Sequence, residues 1–102
     1  MPVFRTKKEA FEWLMSGQKT IDIRKGSPLC GEVAVYLSGR NVLRMKIVKK
    51  ETGRLREILR SDNCRLVIPS ALMLDDALAY LRELYIGYDG VFTAYHVVPL
   101  LP

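Results

Sequence analysis

Apolar and polar positions alternate along this chain with two different periods, and the period changes mark its elements. Ala10, Phe11, Leu14 and Met15 recur at helical spacing and predict an amphipathic first helix. Thr6 and Glu9 have the spacing of a capping box at its start, and Gly17 suits the left-handed residue that ends it. Positions 19–24 then switch to period two, with Ile21 and Ile23 on one face and Thr20, Asp22 and Arg24 on the other. Residues 33–37 and 42–50 read as two further strands, joined by the hairpin chemistry of Ser38, Gly39, Arg40 and Asn41. In the second, Leu43, Met45 and Ile47 point inward while Arg44 and Lys46 point outward. Thr52 is positioned to cap a short helix whose buried edge is Leu55, Ile58 and Leu59. A third helix runs from Leu74 to about Leu84, with Asp75 and Asp76 in its first turn, where the helix dipole favours acids. Gly87, Asp89 and Gly90 turn the chain into a final strand over residues 91–98. With a short strand at residues 3–5, this gives about five strands and three helices, mixed rather than strictly alternating. The pattern predicts an α+β fold, a small barrel or curled sheet with helices packed on it.

Composition narrows the function more than the fold. A length of 102 residues, 49% of them apolar, predicts a single domain over 1–102 with one buried core. No apolar run approaches the roughly 20 residues of a membrane span, and charged residues follow the first five, so no membrane association and a cytoplasmic location are expected. One histidine and two unclustered cysteines, Cys30 and Cys64, match no zinc or redox spacing, so neither metal nor cofactor is expected. In a reducing cytosol the two cysteines are buried thiols, and a disulfide is an alternative where intracellular bridges form. The net charge of +5 favours polyanionic partners provided the cations converge.

The segment Gly17-Gln18-Lys19-Thr20-Ile21-Asp22-Ile23-Arg24 resembles the ASCH-domain signature G-x-K-x-x-[E/D]-x-R, and it stands after the first helix and opens a strand, as in that family. Gly31-Glu32 before an apolar strand resembles the family's G-D before its next strand. The order of elements that follows is also similar to archaeal ASCH proteins. The resemblance implies a PUA-like β-barrel with a cleft between barrel and helices, and RNA or a nucleotide as partner. It also implies an alternative, because some relatives are amidohydrolases acting on acetylated cytidine and ribonuclease activity is ascribed to others. The amidohydrolase branch has a Thr where this chain has Asp22 and a Glu near Ser70, so of that triad Lys19 alone remains.

The candidate site follows from these residues. Asp22 and Arg24 share a strand face, so the carboxylate can orient the guanidinium for phosphate or itself accept from a base amine. Lys19 is a point charge roughly 17 Å from Arg24 at strand rise. Lys19 and Arg24 are read as phosphate contacts, and Lys25, Arg40 and Tyr88 as further nucleic-acid contacts. Arg44 and Lys46 are other candidate cations, and Tyr36 and Tyr85 other stacking surfaces. In the enzyme alternative, Lys19 and Asp22 are the candidate bases. The competing view is an ordinary surface ion pair on a strand, contributing about 0–1 kcal/mol. His96, inside an apolar strand, reads as structural, and Arg54, Arg56 and Arg60 as solvated or partner-binding.

Overall fold

The structure is a computed structural model that describes residues 1–100. Its elements run β1 (Val3–Arg5), α1 (Lys8–Ser16), β2 (Ile21–Lys25), β3 (Val33–Ser38), β4 (Asn41–Gly53), α2 (Leu55–Ile58), α3 (Cys64–Val67), α4 (Leu74–Leu84) and β5 (Phe92–Pro99). The five strands form one curled sheet in the order β1-β3-β4-β5-β2. The β1–β3 pair is parallel and the others are antiparallel. An α+β half-barrel with several helices is therefore the observed architecture.

Two apolar clusters occupy the two faces of this sheet. On the inner face, Phe4, Tyr36, Met45, Ile47, Tyr95 and Val97 pack with Phe11 and Leu14 of α1. On the other face, Ile21, Ile23, Phe92 and Ala94 pack under α2, α3 and α4. Strand β2 is thus buried on both sides. Its isoleucines lie against the helices rather than inside the barrel, and Asp22, opposite Tyr95, shares the inner face. A one-residue slip would exchange these sets and put the Asp22 carboxylate and the Arg24 guanidinium among the apolar side chains under the helices, away from the Arg5 carbonyl that the guanidinium now meets.

Several local expectations are corrected. Thr6 does not cap α1; its hydroxyl donates to the Phe4 carbonyl, and Lys7 is the residue before the helix. Met15 lies off the buried stripe of α1, which Phe11 and Leu14 carry. Thr52 caps no helix either, because β4 continues through it and its hydroxyl meets that of Thr93 at 3.2 Å. At α2 the Glu57 carboxylate instead accepts from the Arg54 N–H. Strand β4 extends past position 50 to Gly53, and a bulge at Val48 resets its parity, so Lys50 rather than Lys49 stands opposite Tyr95. The short helix α3 is an element that the sequence pattern did not assign. Gly17 does take the left-handed conformation, at φ 82°, and its N–H reaches the Leu14 carbonyl. At Gly31, φ is 125° and a Cβ would stand 2.9 Å from Pro2 Cδ, so a side chain there would displace the start of β1.

Candidate functional site

Helices α1 and α4 lie beside β2, and between them a cleft of about 200 Å³ opens. Its position follows from the short connection at 17–20. The Lys19 N–H donates to the Trp13 carbonyl and the Thr20 N–H to the Leu66 carbonyl, which ties the start of β2 to both α1 and α3. Lys19 therefore lies before the strand rather than in it.

The floor of the cleft is charged and buried. Lys19 and Asp22 are each only 4% exposed. The Lys19 ammonium donates to the carbonyls of Ile21 (2.9 Å) and Val67 (2.5 Å) and stands 3.7 Å from Asp22 Oδ1. Arg24 Nε donates to Asp22 Oδ2 at 2.7 Å. Both cations thus meet one carboxylate, and the 17 Å separation expected from strand rise does not hold at the charged ends. Arg24 continues across the gap between the sheet edges. Its terminal nitrogens donate to the Arg5 carbonyl and the Thr6 hydroxyl, and its guanidinium lies 4.6 Å from the centre of the Phe4 ring. One side chain therefore joins β2 to the end of β1 and closes the half-barrel at its seam.

Burial lowers the Lys19 pKa to about 8, although the Asp22 charge opposes the shift. Burial would lower Arg24 too, but its hydrogen-bonded pairing with Asp22 wins and holds the guanidinium above its ordinary value. Near them the Tyr36 hydroxyl is buried without a hydrogen-bond partner among the described residues. Burial first, and the Asp22 charge second, push its pKa well above the usual phenol value.

The walls of the cleft are aromatic and its mouth is basic. Trp13 and Tyr80 form a tilted pair with centroids 6.2 Å apart, and Tyr85 faces the same space. Tyr80 is held by Glu9 through a 3.1 Å hydrogen bond, and burial and that carboxylate raise its pKa to about 12. Exposed Arg5 and Lys7 stand at the mouth, Lys7 5.6 Å from the Tyr80 ring centre.

The structure thus gathers Lys19, Asp22, Arg24 and Tyr85 in one place, and disperses the other candidates. Lys25 lies over Tyr88 at 5.6 Å, and Tyr88 borders a neighbouring cavity. Arg40 is exposed in the β3–β4 turn, and Arg44 and Lys46 are exposed on β4. His96 is half-buried and paired with Glu51 at 3.2 Å, and Arg60 meets the same Glu51. Both cysteines are free, and Cys30 is exposed rather than buried. Among the described residues no three His, Cys, Asp or Glu side chains cluster as metal ligands, and no helix is long and apolar enough to cross a membrane. Sequence reading did not single out Trp13, Tyr80 or Arg5. Trp13, Lys7 and Ala10 are spaced three apart along α1, which was the available signal.

No protein-family model matches the sequence, and no curated protein sequence matches it significantly. Solved structures do match. The archaeal hypothetical protein PH0355 superposes with a TM-score of 0.77 at 16% identity, over 96% of this chain and 97% of that one. The ASCH protein of Zymomonas mobilis matches with a TM-score of 0.68 at 19% identity, over 94% of this chain but 65% of that one. A point variant of the same protein gives a TM-score of 0.67 at 20% identity. From its strand order through its helices, the chain therefore has an ASCH-like fold.

Proposed function

We propose that the cleft between α1, α4 and β2 binds a nucleotide, and RNA through it. The observation that carries this reading is a buried Lys19–Asp22–Arg24 floor set beneath the aromatic walls of Trp13, Tyr80 and Tyr85. At about 200 Å³ the space suits one planar ring rather than a stretch of strand. A base seated there stacks on the aromatic wall, which contributes about 1–3 kcal/mol. Asp22 has acceptor capacity left for a base amine, and two of the five Arg24 N–H groups remain for acceptors on the ligand. Lys19 is spent on two backbone carbonyls, so contact with phosphate falls to Arg5 and Lys7 at the mouth, with Arg24 behind them. The resemblance to ASCH proteins supports the same class of partner.

The protein's one tryptophan lines this cleft and serves as its reporter. Titration with nucleoside monophosphates and with a short single-stranded RNA is expected to quench Trp13 fluorescence saturably. Trp13→Ala, followed by fluorescence anisotropy of labelled RNA, should weaken binding about tenfold. Absence of a saturable change with every one of these ligands would sink the reading.

One observation favours a second reading, a hydrolase acting on a modified nucleoside or on RNA. A buried lysine whose pKa is lowered to about 8, beside a carboxylate and in a cleft, is suited to serve as a base near neutral pH. Incubation with N4-acetylcytidine and with labelled RNA tests it. Turnover that disappears in Lys19→Ala supports catalysis, and no product from either substrate removes it.

A further inference from the structure

A second cavity, of about 260 Å³, lies on the other side of Tyr85 and Leu81, which line both. Its apolar side is built from Leu55, Leu81 and Phe92, with Tyr85 and Tyr88 edge-on to Phe92 at 5.5 and 5.1 Å. Its rim carries Arg54, Arg56 and Arg82 against a single acid, Asp89. Asp89 is taken by Arg54, which donates to its carbonyl at 2.7 Å and stands 3.6 Å from its carboxylate. Arg56 and Arg82 are exposed and make no ion pair or hydrogen bond among the described residues. Lys25, 5.6 Å from the Tyr88 ring centre, adds a further cation beside this rim.

We propose that this arginine-rimmed cavity is a second nucleotide subsite, so that a single strand runs from the cleft, around Tyr85, onto Arg56 and Arg82. The proposal rests on the nucleotide reading of the cleft and extends it from one nucleotide to at least two. The chemistry is that of a phosphodiester flanked by rings. Free guanidinium forks bind phosphate oxygens through paired N–H donors, and the tyrosine edges and faces beside them accept a base without regard to sequence. An acidic peptide would use the arginines but leave the aromatic shelf idle. The shared wall makes the two cavities adjacent, so one short linkage joins their occupants.

The test compares a nucleoside monophosphate with a labelled RNA hexamer on the whole chain, using wild type and an Arg56→Ala/Arg82→Ala double variant. Both substitutions are on exposed side chains without partners among the described residues, so the fold should persist, and circular dichroism checks it. Wild type is expected to bind the hexamer more tightly than the monophosphate. The double variant should lose about tenfold for the hexamer and nothing for the monophosphate, with the salt slope shallower by about 1.4. Equal hexamer affinity in wild type and double variant would overturn the subsite while leaving the cleft reading intact. A hexamer that depends on Arg56 and Arg82 but not on Trp13 would overturn the continuous path, and an acidic peptide competing as well as the hexamer would overturn its nucleotide character. If neither ligand binds wild type, the cleft reading itself fails and takes the subsite with it.

Discussion

Lys19 is an ionisable group held where water barely reaches, and that has a consequence for stability. Its pKa is lowered from 10.5 in the unfolded reference to about 8 in the folded protein, chiefly by burial. Below pH 8 both states carry the proton, and folding bears the full cost of burying the charge. Between about pH 8 and 10 the unfolded chain binds more protons than the folded one, so stability rises with pH. Above pH 10 the tyrosines oppose this: burial raises the Tyr36, Tyr80 and Tyr85 pKa values, so the unfolded chain ionises first and stability falls. Urea denaturation should therefore show stability climbing by on the order of 2 kcal/mol from pH 8 to 10. Lys19→Met should abolish that climb. A wild-type protein with no such rise would mean that the ammonium is far better solvated than its surroundings imply.

The seam between β1 and β2 is decided at the level of elements. Strand β1 is three residues long and pairs on one side alone, with β3. Its open edge is held from across the gap by Arg24, through the Arg5 carbonyl and the Thr6 hydroxyl, while Asp22 fixes the guanidinium. A lysine carries one ammonium and cannot span these three acceptors at once. Arg24→Lys is thus expected to cost about 1–3 kcal/mol and to speed hydrogen exchange selectively in residues 3–5. Uniform exchange across the sheet, with β1 no worse than β5, would show that Arg24 does not hold the seam. The same geometry revises the role of the motif: its arginine closes the barrel as well as bordering the cleft.

Across the whole molecule, the net charge of +5 acts through where the cations lie. Arg5 and Lys7 at the cleft and Arg54, Arg56 and Arg82 at the neighbouring cavity flank Tyr85, whereas Arg40, Arg44 and Lys46 lie elsewhere on β3–β4. A bound strand that neutralises about three phosphates should give a slope near −2 for log affinity against log salt. Anisotropy titrations at several salt concentrations measure it, and Arg40→Ala should leave the slope unchanged. A flat dependence would exclude a phosphate-led interaction.

Local physics was enough for much of this. Period-two alternation told which face of β2 carries Ile21 and Ile23, because a strand in this register keeps them from water whatever packs on them. Gly17, the β3–β4 hairpin and α4 were equally legible, since each rests on residues a few positions apart, whereas Lys19, Asp22 and Arg24 were singled out by their resemblance to the ASCH signature. What the sequence did not contain were facts of distance. Whether Ile21 meets barrel or helix, whether Lys19 reaches the Val67 carbonyl 48 positions away, and whether Arg24 meets Arg5 depend on how the sheet curls. Capping went wrong at Thr6 because its N–H pairs with the Leu37 carbonyl and its hydroxyl is engaged by Phe4 and Arg24, and at Thr52 because β4 runs through it to meet Thr93. The aromatic wall of the cleft needed Trp13 and Tyr80, far apart in the chain, to face each other, and only the packing of α1 against α4 decides that.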